Sequence, residues 1–149
     1  MIYPICPNCF YERVVKGVCS HCGYDQTRAA KFEGVLEPME IVGDGRYLVG
    51  RVLGKGGFGV TYLANDLRRA EINGKPVTVA LKECMPEAYS SRRADGRIIN
   101  NEDKEQEFLQ CKDNFREEVA ALTALMDNAF VVDVYESFTD KRNNNEYNI

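Results

Sequence analysis

Near the start of the chain, Cys6-Pro7-Asn8-Cys9 and Cys19-Ser20-His21-Cys22 form two C-x-x-C pairs separated by a short loop. Each pair can turn tightly enough to aim both sulfurs at one point, and two such turns supply four thiolates to a tetrahedral zinc ion. Gly23 after the second pair suits that turn, while Phe10 holds the matching place after the first. Four thiolates close the coordination sphere, so the metal is structural rather than catalytic. His21, the only histidine, is then a bystander. A disulfide pairing would need an oxidising compartment, and a thioredoxin-like redox site would use one C-x-x-C rather than two.

A second group of residues carries a different chemistry. Gly54, Gly56 and Gly59 give G-x-G-x-x-G, a pattern shared by several nucleotide-binding loops and many ordinary turns. A dinucleotide-binding loop of this kind runs into a helix, whose N-terminus holds the pyrophosphate. Here the continuation Val60-Thr61-Tyr62-Leu63 is β-branched and aromatic, and Arg46 to Leu53 also reads as a strand. The glycines therefore cap a β-hairpin. Downstream, Lys82 closes the apolar strand Val77-Thr78-Val79-Ala80-Leu81-Lys82. A lysine there is costly to bury alone and asks for a phosphate or a carboxylate. A carboxylate is on offer in Glu107 to Met126, where Phe108, Cys111, Phe115, Leu122 and Met126 share one helical face. With Phe115 at zero, Glu118 falls at roughly -60°, beside Leu122, and Glu117 at roughly 200°, on the far side. Glu118 is the inward carboxylate.

In this order, GKGGFGVTYLA (Gly54 to Ala64) and VALKE (Val79 to Glu83) resemble the amino-terminal lobe of bacterial serine/threonine protein kinases of the eukaryotic-like type. The resemblance covers about residues 46–149. It implies an ATP site formed by Leu53, Gly54, Lys55, Gly56, Gly57, Phe58, Gly59, Thr61, Ala80 and Lys82. It also implies a catalytic ion pair in which Lys82 holds the α/β-phosphates and Glu118 holds Lys82, the register Phe-x-x-Glu-Val falling on Phe115 to Val119. Thr61 departs from the family's valine but keeps the β-branched shape. The H-R-D and D-F-G motifs of the other lobe, which supply the base and the Mg²⁺ ligands, do not occur in these 149 residues. The resemblance thus implies an excerpt or a truncated product of a kinase acting on Ser/Thr hydroxyls of a protein, inactive by itself.

The elements that must position these residues follow. The expected fold is α+β: a small N-terminal zinc ribbon (1–26), a linker (27–45), and an incomplete kinase small lobe (46–149) of antiparallel sheet plus one main helix. The linker reads as a solvated connector, with Val35-Leu36 and Met39 to Val42 as candidate short extended pieces leaning on the lobe. Asp66 to Pro76 reads as a polar turn, and Met85 to Gln106 as an inserted or mobile loop, longer than the usual ~4–6 residues. Kinases of this subgroup often carry extra residues there, after a stretch like Lys82-Glu83-Cys84-Met85-Pro86. Arg92 and Arg93 within it read as a solvated face. Val131 to Phe138 reads as a further strand, and Glu146 to Ile149 as the start of a fifth. That last strand should lie between its two neighbours, so its truncation leaves the Lys82 strand with an open edge.

A net charge of -4 and few basic–aromatic clusters argue against a nucleic-acid binder. No apolar run approaches the ~18 residues of a membrane span, and no secretory signal opens the chain, so a cytoplasmic location is expected. The competing reading is a non-catalytic zinc-ribbon adaptor, or pseudokinase, that docks a protein partner.

Overall fold

The computed structural model describes residues 1–125, 136–143 and 145–149. They fall into two units, Met1–Gly54 with Tyr62–Ala80, and Lys55–Thr61 with Leu81–Ile149. The mixed α+β architecture is built on mostly antiparallel sheet.

In the first unit, β1 (Val14–Val15) and β2 (Val18–Cys19) form a small hairpin. Lys16 and Gly17 between them both have positive φ, 51° and 86°, as a two-residue primed turn requires. β3 (Ile41–Val42) pairs antiparallel with β4 (Tyr47–Lys55), and β5 (Gly59–Asp66) lies on the other side of β4. Alternation along the strands buries Tyr47 and Val49 of β4 with Tyr62 and Ala64 of β5. The stretch expected to be a solvated linker contributes to this core. Leu36 and Val42 are buried, and the Leu36 amide donates to the Tyr62 hydroxyl at 3.0 Å. Both lie in the candidate extended pieces of the linker, but isolated apolar residues among glycines and charges carry no period, so the sequence favours a solvated connector.

The expected polar turn after Asp66 is instead a helix, α1 (Leu67–Asn73). Asp66 caps it by accepting the Arg69 amide at 3.2 Å, and Gly74 ends it with a φ of 67°. Both signals are ordinary helix boundaries. The Asp66 carboxylate is also gripped by the Arg46 guanidinium at 3.0 Å. Burial acts to raise its pKa, but the Arg46 and Arg69 contacts outweigh it and hold it below the ordinary value. β6 (Thr78–Cys84) then carries Val79 into the core.

The second unit holds the rest of β6 and everything after it. The expected loop contains a hairpin, β7 (Ser90–Arg92) with β8 (Ile98–Asn100), turning at Asp95-Gly96. α2 (Glu105–Ala124) starts at Glu105 rather than Glu107. It buries Phe108 and Phe115 as expected, leaves Cys111 and Leu122 half-buried, and also buries Lys112, whose amine lies 4.9 Å from the Phe108 ring centroid. Met126 lies outside the described residues. β9 (Ser137–Asp140) overlaps the end of the expected strand, whose residues 131–135 also lie outside them.

β10 (Asn145–Asn148) corrects the expectation of an open edge. It sits between β6 and β9, pairing Tyr147 with Glu83 and Asn148 with Lys82 on one side, and Tyr147 with Phe138 on the other. Four residues suffice because two of their side chains are spent on a buried carboxylate. Glu83 has no exposed side-chain surface and forms an ion pair with Arg92 at 2.6 Å, whose side chain is 8% exposed. The Tyr147 hydroxyl donates to Glu83 at 3.0 Å and the Asn145 amide at 3.1 Å. Arg92 is therefore a buried structural cation rather than part of a solvated face, while its neighbour Arg93 pairs with Asp95 at the surface.

Removing one partner of a buried ion pair strands the other, at a cost of about 3–5 kcal/mol. Arg92→Ala should therefore lower the stability of the chain by that order, read as a fall in the urea midpoint. Arg93→Ala should change it by no more than about 0.5 kcal/mol. Equal midpoints for the two variants would show that Glu83 does not depend on Arg92.

Candidate functional site

The four cysteines of the first unit converge. The sulfurs of Cys6, Cys9, Cys19 and Cys22 all lie within 4.8 Å of one another, with Cys6–Cys22 at 3.7 Å and Cys9–Cys19 at 3.6 Å. A tetrahedral ion with ~2.3 Å bonds to sulfur needs sulfurs about 3.8 Å apart, so the spacing fits a metal ion such as zinc. The turn at each pair also points backbone N–H groups at the sulfurs. Cys6 accepts from the amides of Asn8 and Cys9, Cys9 from Tyr11, and Cys22 from Tyr24. Such donors favour thiolates, the form that binds metal. Without a cation, burial pushes the Cys6 and Cys9 thiols up. Burial acts the same way on Cys22, but bonds from Asn8, the Tyr24 amide, Cys9 and Cys6 outweigh it and lower it to about 7. His21 is not in the cluster; it lies against the Tyr11 ring, with centroids 4.2 Å apart.

Most of the remaining candidate residues fall in the second unit. Gly56 and Gly59 close the hairpin between β4 and β5, the Gly56 amide donating to the Gly59 carbonyl at 2.9 Å. Gly59 is where a side chain is excluded: a Cβ there would collide with the Glu83 carbonyl. Gly56 and Gly57 face open space. The segment after β6 straps this loop, because the Met85 amide donates to the Phe58 carbonyl and the Glu87 amide to the Gly57 carbonyl, both at 3.1 Å. Lys55 forms an ion pair with Glu87, a partner with no signal in the sequence because the contact is purely tertiary. Thr61 is half-buried, and Phe58 is 73% exposed.

Of the two adjacent glutamates on α2, it is Glu118 that meets Lys82. The Lys82 Nζ lies 2.8 Å from one carboxylate oxygen and 3.0 Å from the other, and 5.6 Å from the Phe115 ring centroid. Phe58, Lys82, Cys111, Asn114, Phe115 and Glu118 line a cavity of about 310 Å³. Asn114 is the lining residue that helical periodicity left out, being polar. Leu53, Gly54 and Ala80 belong to the first unit, and all three are exposed. Among the described residues no helix is long and apolar enough to cross a membrane.

If the four thiols hold zinc, the purified chain should carry about one equivalent per molecule. Cys19→Ser should lower that content and His21→Ala should leave it unchanged, as measured by elemental analysis of protein dialysed against zinc. Full stoichiometry in the Cys19→Ser protein would remove the metal assignment.

No family model matches the chain, and no curated protein does. Among solved structures, one described as the apo form of PpkA-294 is similar to it, with a TM-score of 0.64 and 23% identity. The match covers 78% of this chain and 38% of that one. At that identity the likeness is one of fold.

Proposed function

We propose that this chain is the ATP-binding small lobe of a protein serine/threonine kinase, preceded by a structural zinc ribbon. The observation that carries the reading is the bidentate contact of Lys82 with Glu118 in the unit that also holds the glycine hairpin. The side chains of that pair are 39% and 46% exposed, and an exposed pair contributes only about 0–1 kcal/mol to stability. Stability does not account for such a geometry, whereas holding a lysine ready for phosphate does. The fold likeness to PpkA-294 supports a kinase-like domain.

In this reading the side-chain-free Gly56 and Gly59 let backbone N–H groups come close to phosphates, as the glycine loop of a kinase does. Lys82 binds the α/β-phosphates and Glu118 fixes its position. The family resemblance adds Leu53, Gly54, Lys55, Gly57, Phe58, Thr61 and Ala80 to the nucleotide contacts. Mg²⁺ neutralises phosphate charge when bound, and its ligands belong to the other lobe of the family, as does the base that accepts the substrate hydroxyl proton. The chain's own contribution is positioning and electrostatics. A protein bearing a Ser/Thr acceptor is the substrate of the whole enzyme, in the cytoplasm.

Titration with a fluorescent ATP analogue should show weak, saturable binding. Lys82→Met should weaken it about tenfold or more, by loss of a charge-assisted contact, and Glu117→Gln should leave it unchanged. The chain by itself should transfer no phosphate to a generic protein substrate. A folded chain with no saturable nucleotide binding would overturn the kinase reading in favour of a zinc-ribbon adaptor.

A further inference from the structure

We propose that metal occupancy of the four-cysteine site governs the order of β4, with Asn8 and Arg51 as the positioning residues that couple the two. The inference rests on the metal reading and is independent of the kinase reading. All the residues concerned lie in the first unit.

Asn8 sits inside the first C-x-x-C turn and uses both ends of its amide. Its Nδ2 donates to the Cys22 sulfur at 3.6 Å, and its Oδ1 accepts from the Arg51 Nε at 2.6 Å. The Arg51 guanidinium lies 6.0 Å from the centroid of the Tyr24 ring, and the Tyr24 amide itself donates to the Cys22 sulfur. Two short routes thus run from one metal ligand to one residue of β4. Losing a group that orients a ligand in this way typically costs about 10–100-fold in metal affinity.

The backbone makes a second attachment. β3 reaches only Tyr47 and Leu48 of β4. Further along the same strand, the Val49 amide donates to the Glu40 carbonyl at 2.8 Å, and the Arg51 amide to the Pro7 carbonyl at 2.9 Å. The cysteine turn therefore continues the edge of the sheet where β3 stops.

Phe10 supplies the third attachment. Its φ is 62°, a region that bulky residues rarely occupy; Gly23 takes the equivalent place after the second pair with a φ of 76°. The Phe10 ring is buried against Gly50. A Cβ on Gly50 would meet Phe10 Cζ at 2.7 Å and collide with the Pro7 carbonyl. The left-handed backbone at Phe10 is thus part of what brings its ring onto β4.

A segment this short has too small a core to hold such a turn without its metal. Loss of the ion then frees Pro7, Asn8 and Phe10 together, and β4 loses its edge bonds at Arg51 and the cover over Gly50. β4 runs directly into the glycine hairpin.

Coupling of this kind is reciprocal: a change at Arg51, which touches no metal ligand, must weaken metal binding. Competition with a chromophoric chelator should show zinc affinity falling about tenfold in Arg51→Ala, and about 10–100-fold in Asn8→Ala. Hydrogen exchange on the full chain gives a readout that does not depend on any variant folding. Chelation should accelerate exchange at the Arg51 amide about tenfold or more, while the Lys82–Glu118 unit serves as an internal reference. Unchanged zinc affinity in Arg51→Ala, or exchange at Arg51 that ignores metal, would overturn the coupling while leaving the metal site intact. A chain that binds no zinc would overturn both.

Discussion

A carboxylate with no exposed surface, in the middle of a strand, is the constraint on which the second unit depends. Taking an ion out of water costs several kcal/mol unless its lone pairs are met. Glu83 meets them with two bonds from Arg92, at 2.6 and 2.7 Å, one from Tyr147 and one from Asn145. Those partners come from β7 and from β10. These bonds tie the inserted hairpin to β6, and they join the backbone pairing that holds the short last strand there. The same burial sets the phase of β6. Side chains alternate along a strand, so Glu83 inward means Lys82 outward. A one-residue slip would exchange them, burying the lysine and exposing the carboxylate. The availability of Lys82 to Glu118 is therefore decided on the opposite face of the sheet.

The chain holds two ion pairs of opposite kind within two adjacent residues of β6. Arg92–Glu83 is enclosed, and its loss would leave an uncompensated charge. Lys82–Glu118 is open to water, and its loss would cost the fold little. This separation matters for any reading of function, because a group whose removal unfolds the protein says nothing about chemistry. The cysteine cluster falls between the two. Three of its four sulfurs are met by backbone N–H groups, which favours the thiolates that a metal ion would bind.

What was legible in the sequence were features carried by short-range pattern. The C-x-x-C spacing brought the sulfurs together, β-branched and apolar runs marked β4 to β6, and helical phase separated Glu118 from Glu117. The helix α1 was also signalled, by Asp66 before it and Gly74 after it, but seven polar-rich residues between two strands resemble a turn. Other features depend on partners remote in sequence and had no local signal. Arg92 looks like any surface arginine until β10 brings Tyr147 and Asn145 to Glu83. Leu36 and Val42 read only as short extended pieces of a linker until Tyr62 and β4 cover them. The expected open edge failed for a related reason: strand pairing was judged by length, whereas β10 is held by what its side chains reach.

The contact between Phe10 and Gly50 has a consequence for how this sequence can vary. Any side chain at 50 would enter the space of the Phe10 ring, and a glycine at 10 would leave that space empty. A smaller residue at 10 would relieve only one of the contacts, because the Pro7 and Leu63 carbonyls would still meet a Cβ added at 50. Residue 50 is therefore held to glycine whatever residue 10 becomes, while a change at 10 uncovers the strand beneath it. A homologue that has lost its cysteines still has the Leu63 carbonyl against residue 50, so glycine should persist there after the metal site is gone.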